Sequence, residues 1–406
     1  MVSVESSNAY PLTPLARPAP WAAPEAIQTT ASSEIQPNLA SLDEVTLTTT
    51  SVVSAPAPCL SFVEPLNVTI PVYTTYGTHA EVTIQGRVLE YADSPKACQK
   101  DSPATNLLRN LRALDSDEIP AVELNIHFNG KAYPAKTDKD GFFQISLKNQ
   151  QGLQEGYHPV EVRLADGQDD RFSGAPGKGK VIIQTKSDHR VGIVSDIDDT
   201  IQHTGVTDKA ELINNFLFKN ATTLSSIPGM AELLQAIDQR SDGSVDGDVH
   251  YISGSPITYF ERIDDFMQQN DFPTGSIDLM KMGFSKTDDA IFNQVDYKLG
   301  RIQKLFETYP QQKFVLFGDS GEKDPEIYRR IAQQYPDRVL AIYINNVSGE
   351  KPADSRFNGM LLTHNSLEAA LDAFKRNLIN KEDLQKVQQA VQKSIDSERM
   401  QKSVSA

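Results

Sequence analysis

The chain lacks long apolar runs, contains few cysteines and has no excess of basic residues. No window approaches the run of about 18 apolar residues that crosses a bilayer as a helix. The formal net charge is −15, the wrong sign for a protein that follows nucleic acid by its overall field, so no nucleic-acid partner is expected. A local basic patch on an acidic protein would still allow peripheral contact with a membrane.

The sequence contains two cysteines, Cys59 and Cys98. Two cysteines cannot form a disulfide framework, and we favour two free thiols in a reducing compartment over one bridge between them. Residues 1–30 also lack the basic start and apolar block of a secretory signal. We therefore expect a cytoplasmic protein, with reversible membrane association left open.

Composition and periodicity divide the chain into four predicted segments. Its 406 residues have room for two domains of ordinary size and tails. Residues 1–60 are rich in Pro, Ser and Thr without a sustained period, which predicts a disordered tail. The other segments are a β-sandwich domain at 61–188, an α/β domain at 189–365 and a C-terminal helical tail at 366–406.

Alternation of apolar and polar residues is the main signal between residues 61 and 188. It predicts strands at 82–88, 122–128 and 142–147, and Asn129-Gly130 is typical of a tight hairpin turn. A strand with one apolar face must bury it against a second sheet or a helix, so we predict a small antiparallel sandwich. Four leucines indicate one short inserted helix: Leu107, Leu108, Leu111 and Leu114.

After Arg190, short apolar runs alternate with longer helical patterns. This β-α-β alternation predicts a doubly wound parallel sheet that is covered by helices on both faces. Ligands of such sheets bind beyond the carboxyl ends of the strands. The strands are predicted at 192–194, 249–252, 277–282, 314–317 and 339–344.

The C-terminal tail has helical periodicity. Residues 366–402 predict one or two helices, the last part strongly polar and therefore solvated. The apolar face expected to pack against the rest of the protein consists of Leu367, Leu371, Phe374 and Leu378.

The run Asp196-Ile197-Asp198-Asp199-Thr200 places three carboxylates directly after a buried strand. Carboxylates this close repel one another and their pKa values rise unless cations neutralise them, and a divalent ion such as Mg²⁺ is the simplest remedy. A helix-loop-helix calcium site would need Gly and Glu where Ile201 and Thr207 stand, so that alternative fails. A solvated acidic turn is the remaining alternative, and it does not explain the apolar strand before it.

Three further elements stand at strand or helix boundaries. Asp319 follows the strand at 314–317 and would complete a metal site. Ser253 and Gly254 follow the strand at 249–252, where a hydroxyl and backbone N–H groups can face an anion, although Ser-Gly-Ser-Pro could also simply cap a helix. Lys298 begins the helix before the fourth strand, and by residue type alone such a lysine is usually solvent-exposed.

The order acidic run, serine, lysine and acidic loop resembles the four motifs of the haloacid dehalogenase superfamily, DxDxT class. Three longer stretches, Ser195–Ile201, Tyr251–Pro256 and Phe317–Tyr328, are similar to those of the family of the actin-patch phosphatidate phosphatase and its bacterial relatives. The preceding strand-rich domain is similar too, and the resemblance covers residues 80–365, approximately. It implies a Rossmann-like, haloacid dehalogenase type of catalytic domain and a Mg²⁺-dependent phosphatase.

The resemblance also implies a role for each matched residue. Asp196 would attack phosphorus and become an aspartyl phosphate, with its other oxygen on Mg²⁺. Asp198 would protonate the leaving alcohol, then deprotonate the hydrolytic water, and bind the metal through its backbone carbonyl. Thr200, Ser253, Gly254 and Lys298 would line the phosphate site, and Asp319 would complete the metal shell with Asp324 behind it. The lysine is the open assignment, because Lys281, Lys286 and Lys304 lie nearby.

The substrate implied by the resemblance is phosphatidate, which would be converted to diacylglycerol and phosphate. Residues 201–228 are too few for a folded cap domain but sufficient for a flap, so the site would be open to a bulky phospholipid. Phe216, Leu217 and Phe218 in this flap could touch acyl chains, although packing on the core is favoured. The alternatives are a phosphatase for a soluble phosphate monoester or phosphoprotein, and a non-catalytic scaffold whose strand-rich domain recruits a partner.

Overall fold

A computed structural model of the chain describes residues 64–91, 102, 105, 118–150, 152–168, 171–184, 190–203, 224–242, 248–281 and 294–404. Several predictions lie outside these residues: the tail at 1–60, the helix at 107–114, the pairing of Cys59 and Cys98, and most of the flap at 201–228. Among the residues described, no helix is both long enough and apolar enough to span a membrane.

The described residues up to Ile183 consist of strands joined by turns. Seven of these strands pair in the order β6-β5-β8-β10-β2-β3-β7, and three in the order β4-β1-β9. The strands are β1 (Leu66–Thr69), β2 (Thr75–Thr78), β3 (Glu81–Arg87), β4 (Leu89–Glu90), β5 (Glu123–Phe128), β6 (Lys131–Lys136), β7 (Phe142–Lys148), β8 (Gly156–Leu164), β9 (Phe172–Ser173) and β10 (Gly177–Ile183).

Both sheets are mixed rather than wholly antiparallel. Most neighbouring strands are antiparallel, but β2 and β10 run parallel, as do β1 and β9. The pairing of β2 with β10 places an early and a late strand of this segment side by side, and pairings so distant in sequence leave no local signal. The sandwich arrangement and its boundary at residue 188 stay predictions.

The β5–β6 hairpin shows how local sequence specifies one part of this sheet. Asn129 and Gly130 have φ values of 49° and 70°, which is the left-handed pair that a tight hairpin turn needs. Strand β6 follows the predicted hairpin turn and contains Pro134, and proline cannot donate to a ladder. It is tolerated here because β6 is the edge strand of the sheet.

Strands and helices alternate beyond residue 190, as the sequence predicts. The strands are β11 (Val191–Ser195), β12 (Gln202–His203), β13 (Ser225–Ser226), β14 (Val249–Pro256), β15 (Ser276–Met280), β16 (Lys313–Asp319), β17 (Val339–Asn345) and β18 (Leu361–Thr363). The helices are α1 (Met230–Asp242), α2 (Phe260–Gln269), α3 (Gln294–Thr308), α4 (Asp324–Gln334), α5 (Ser366–Lys375) and α6 (Lys381–Val404), with 3₁₀ turns at Ile257–Tyr259 and Ser355–Phe357.

Six of these strands form a parallel sheet in the order β15-β14-β11-β16-β17-β18. The first strand, β11, lies in the interior, between β14 on one side and β16 on the other. The chain therefore winds outward in both directions from β11, and the carboxyl end of this strand is the point where a ligand is expected to bind. The mixed α/β class and the parallel sheet are confirmed; the three-residue strand β18 was not predicted.

Alternate residues of the central strands face different helices, because successive side chains of a strand point to opposite faces. Ile193 and Val315 belong to a core that also contains Leu233 of α1, Phe266 of α2 and Ala370 of α5. Val194 and Leu316 belong to a second core with residues of two further helices, Leu305 of α3 and Ile331 of α4. Helices therefore cover both faces of the sheet.

Helix α5 differs from the sequence-based expectation in the face that it buries. Leu371 and Phe374, which were predicted to pack, are exposed by 43% and 41%. The buried face consists instead of Ala369, Ala370 and Ala373. Alanine allows the helix backbone to approach its neighbours closely, and apolar periodicity alone does not distinguish this from packing through large side chains.

The two sheet systems are joined by hydrogen bonds between distant parts of the sequence. Ile277 N donates to Thr74 O at 3.3 Å, and the Tyr309 hydroxyl donates to Gly77 O at 3.0 Å. In addition, the Tyr157 hydroxyl of β8 donates to Thr274 O at 2.9 Å. The described residues from Pro65 onward accordingly belong to one compact unit.

Candidate functional site

The acidic run begins where β11 leaves the sheet. Asp196 N still donates to Phe317 O of β16 at 2.9 Å, so the backbone of Asp196 is held by the ladder. Three residues later Asp199 turns the chain with a φ of 53°, a left-handed conformation that Asp tolerates better than most residues. Asn345 Nδ2 from the end of β17 donates to Asp199 O at 2.8 Å and fixes this turn. Three parallel strands therefore set the position of the Asp196 carboxylate.

Four carboxylates meet beyond the ends of these strands. One oxygen each of Asp196, Asp319, Glu322 and Asp324 lies within 4.8 Å of the others, and three of the four residues are buried. We call this group the acidic cluster. Carboxylate oxygens are the ligands preferred by hard divalent cations, so the cluster could hold a metal ion.

Lys298 from α3 lies in the middle of the acidic cluster. Its Nζ is 2.7 Å from Asp196 Oδ1, 2.8 Å from Glu322 Oε2 and 2.8 Å from Asp324 Oδ1. The lysine is 2% exposed and Asp324 is fully buried. A charge this deeply buried is stable only because it is paired in several directions.

The electrostatics of the cluster show an excess of negative charge. Burial raises the pKa of Asp196 well above its usual value; Lys298 opposes the rise and the neighbouring carboxylates add to it. Burial and the carboxylates of Asp324 and Glu322 raise the pKa of Asp319 to about 8. Burial by itself would lower the pKa of Lys298, but the surrounding carboxylates raise it, so this lysine stays charged. One ammonium group does not neutralise four carboxylates, and a divalent cation would relieve the repulsion that remains.

The Asp319 loop leaves one carboxylate oxygen free. Asp319 Oδ1 accepts from Gly321 N at 2.6 Å and from Glu322 N at 3.0 Å. Asp319 Oδ2 is buried and has no hydrogen-bond partner among the residues that the structure describes. A buried carboxylate oxygen without a partner is costly unless a cation binds it, so this donor set fits a metal ion.

Asp198 is not a member of the acidic cluster, and its carboxylate faces the carboxyl-terminal part of β14. Its Oδ2 accepts from the Ser255 hydroxyl at 2.6 Å, with the Ser253 hydroxyl at 3.4 Å. Ser255 N in turn donates to Ser253 Oγ at 2.9 Å, which fixes the two hydroxyls relative to each other. Burial raises the pKa of Asp198, although the hydrogen bond from Ser255 opposes the rise. A carboxyl group with a raised pKa near Asp196 suits an acid/base role.

The structure brings most of the predicted site residues together. Asp196, Lys298, Asp319 and Asp324 meet in one cluster, and the Thr200 hydroxyl lies 3.4 Å from Asp196 Oδ2. Ser253 and Gly254 lie on the Asp198 side, where a Cβ on Gly254 would be 2.8 Å from the Gln294 side chain. Among the alternative lysines, Lys281 lies over the Phe142 ring at 4.3 Å and Lys304 lines a cavity beside β2, while Lys286 is outside the described residues.

Two residues of the site were not predicted. Glu322 lies in the acidic cluster, and its position between Asp319 and Asp324 in one loop was the available signal. Ser255 holds Asp198, and its hydroxyl two residues after Ser253 could have indicated a second donor. In both cases the local backbone conformation, rather than residue type, decides that the side chain turns toward the site.

Gly318, at the end of β16, is required by the close approach of Asp324. A Cβ at this position would lie 2.6 Å from Asp324 Cβ and 2.8 Å from the Tyr328 ring. We expect Gly318→Ala to lower the free energy of unfolding by about 1–3 kcal/mol, because the core cannot make room without moving Asp324. Urea unfolding measures this.

Gly300 provides the matched control for Gly318→Ala. It lies within α3, and a Cβ there meets nothing within 4 Å. Gly300→Ala is expected to raise the free energy of unfolding by about 0.5–1 kcal/mol, since alanine is the better helix former. A Gly318→Ala protein as stable as the parent would show that the packing around Asp324 is looser than the structure indicates.

The fold and the site define an α/β protein with a lysine-bridged carboxylate site at the carboxyl ends of its parallel strands. Residues 191–346 match the family described as "Phosphatidate phosphatase APP1, catalytic domain". This segment, which contains the predicted site residues, is similar to that family.

Two curated relatives match part of the chain. The phosphatidate phosphatase APP1 of Saccharomyces cerevisiae is 34% identical over 161 residues, and an uncharacterized protein of Schizosaccharomyces pombe is 24% identical over 160 residues. Each match covers 39% of this chain and 26% of the relative, so the chain spans about a quarter of the length of the curated relatives it matches.

Among solved structures, the fibronectin(III)-like modules of Clostridium thermocellum CbhA match 29% of this chain and 95% of their own length at 13% identity. The TM-score of this match is 0.16, which carries no argument about the fold.

Proposed function

We propose that the protein is a Mg²⁺-dependent phosphoric monoester hydrolase that acts through an aspartyl-phosphate intermediate, and that phosphatidate is its substrate. The observation that supports this most is the buried Asp196–Lys298 pair beside the unpartnered Asp319 Oδ2, beyond the ends of adjacent parallel strands. We also propose a haloacid dehalogenase type of fold for residues 189–365 and a β-sandwich domain for residues 61–188.

In the first half-reaction, Asp196 forms a bond to phosphorus while the bond from phosphorus to the ester oxygen breaks. Asp198 donates its proton to the departing alcohol, a role that its raised pKa supports. Lys298, together with Thr200, Ser253 and the backbone at Gly254, holds the phosphate oxygens during the transfer. In the second half-reaction, Asp198 takes a proton from water, water attacks phosphorus, and the bond from Asp196 to phosphorus breaks to release phosphate.

The proposed metal ligands are Asp196, Asp319 and the backbone carbonyl of Asp198, with Asp324 behind them. A bound Mg²⁺ would neutralise the acidic cluster and withdraw charge from the transferred phosphate. Glu322 and Asp324 each contribute an oxygen to the same cluster, so both are further candidates. The free Asp319 Oδ2 is the atom that supports a metal at this position.

Phosphatidate is proposed because the family and one curated relative carry that activity in their descriptions. A phospholipid substrate implies peripheral contact with a membrane, and we propose a cytoplasmic protein that associates with membranes reversibly.

A substrate panel with the full chain tests this function. Phosphatidate in mixed micelles, a sugar phosphate and a phosphopeptide are each incubated with Mg²⁺ or with EDTA, and released phosphate is measured. We expect turnover of phosphatidate that EDTA abolishes and that added Mg²⁺ restores. Turnover of the sugar phosphate or the phosphopeptide alone would support the soluble-substrate alternative. Turnover of none of the three would favour a non-catalytic scaffold, and full activity in EDTA would exclude the proposed mechanism.

A further inference from the structure

Arg356 contacts the backbone of residues 319–324, which we call the acidic loop. It lies in the 3₁₀ turn Ser355–Phe357, outside the segment 191–346 that matches the phosphatase family. Its Nη1 donates to Ser320 O at 2.6 Å and its Nη2 donates to Glu322 O at 2.5 Å. One guanidinium therefore binds two backbone carbonyls of the loop that carries Asp319 and Glu322.

The turn that carries Arg356 is itself fixed to helix α4. Arg356 Nε donates to Glu326 Oε1 at 2.9 Å, and Arg329 Nη2 donates to Ser355 O at 2.9 Å in the opposite direction. Asp354 Oδ1 accepts from Arg356 N at 2.8 Å, and Phe357 is buried. The guanidinium is therefore held at a defined place rather than resting on the surface.

The backbone amides and the backbone carbonyls of the acidic loop have different partners. The amides of Gly321 and Glu322 face Asp319 Oδ1, whereas the carbonyls of Ser320 and Glu322 face Arg356. Ser320 O and Gly321 N belong to the same planar peptide unit, so the hydrogen bond from Arg356 to Ser320 O also fixes the orientation of the Gly321 amide, while the hydrogen bond to Glu322 O holds the next part of the loop. Those amides bind Asp319 Oδ1, whereas Oδ2 accepts no hydrogen bond from the residues that the structure describes.

We propose that Arg356 is a positioning residue for the metal site, which holds the loop so that Asp319 Oδ2 is in place before a cation binds. The inference rests on the proposed Mg²⁺-dependent function. Arginine suits this role because its planar fork presents several N–H donors in fixed directions, whereas lysine offers one nitrogen. Removal of an outer partner of this kind typically weakens metal binding by about 10- to 100-fold.

The test is the Mg²⁺ affinity of the full-length protein, measured by isothermal titration calorimetry without substrate. Arg356→Met keeps the aliphatic stem and removes the donors, and we expect its Kd for Mg²⁺ to rise by about 10- to 100-fold. Arg356→Lys keeps the charge and cannot bind both carbonyls and Glu326 at once, so its Kd should also rise, by less.

Arg338 is the matched control. It too donates to backbone carbonyls, to Gln312 O at 2.5 Å and Tyr309 O at 2.6 Å, but directly before β17, at the opposite end of the parallel sheet from the cluster. Arg338→Met is expected to lower stability without changing the Kd for Mg²⁺. An affinity loss in the Arg356 variants that Arg338→Met does not share supports positioning, because general destabilisation would affect all three.

The possible outcomes distinguish a failure of the proposed Arg356 role from a failure of the proposed Mg²⁺-dependent function. If the parent binds Mg²⁺ and Arg356→Met binds it equally well, the positioning role is wrong and the proposed function stands. If Arg356→Met does not fold, Arg356→Lys decides, and a Kd equal to that of the parent overturns the inference. A parent protein without measurable Mg²⁺ binding overturns both.

Discussion

Asp196→Asn is expected to abolish the release of phosphate from phosphatidate, with turnover lowered by at least about 10⁴-fold. An amide has nearly the shape of a carboxylate but cannot attack phosphorus as an anionic oxygen does. The variant should remain folded, because Asp196 N keeps its hydrogen bond to Phe317 O. Phosphate release in mixed micelles measures turnover, and circular dichroism checks the fold.

Asp199→Asn is the control for this prediction. Asp199 belongs to the same run, is also buried, and is not a member of the acidic cluster. Its left-handed conformation suits asparagine as well as aspartate, so we expect most of the turnover to be kept. An Asp196→Asn protein that matches the Asp199→Asn protein in turnover would show that Asp196 is not the nucleophile.

Lys298→Met is expected to have the largest effect on stability. It leaves Asp196, Glu322 and Asp324 without their shared cation, and removing one partner of a buried ion pair costs about 3–5 kcal/mol. Protonation of the carboxyl groups that have lost their cation, or binding of a divalent cation, would recover part of the lost free energy of unfolding. Urea unfolding in EDTA and in Mg²⁺ measures both quantities.

Turnover should fall as well, by about 10²- to 10³-fold, because a charged donor to the phosphate is lost. Lys304→Met is the control, since Lys304 lies on the same helix and is exposed. We expect it to change stability and turnover little. A Lys298→Met protein as stable in EDTA as Lys304→Met would mean that the buried ion pairs contribute no net stability.

Much of the fold could be predicted because it follows from local periods. Strict alternation located β3, β5 and β7, and the short apolar runs located β11, β14, β15, β16 and β17. The pairing of β2 with β10 could not be predicted, because both strands satisfy the same local pattern whichever neighbour they find. Helix α5 shows the same limit, since Leu371 and Phe374 were predicted to pack and are exposed, whereas Leu378 of the same predicted set is buried.

The residues of the candidate site were predictable because chemically demanding groups stood at strand ends. Asp196 and Asp319 follow buried strands, and parallel strands bring their carboxyl ends to one edge. By residue type Lys298 was expected to be exposed, and only the resemblance of the motif order gave it a place in the site. Its burial follows from the position of α3 against β14, and that depends on contacts across the sheet.

The sequence by itself determined which residues can perform chemistry here, because carboxylate, hydroxyl and ammonium groups at strand ends are local features. The tertiary structure decided how they combine. It placed Lys298 among four carboxylates, directed Asp198 toward Ser255, left Asp319 Oδ2 without a partner and brought Arg356 behind the acidic loop. These relations join residues that are far apart in the chain, and only the packing of strands and helices sets the distances between them.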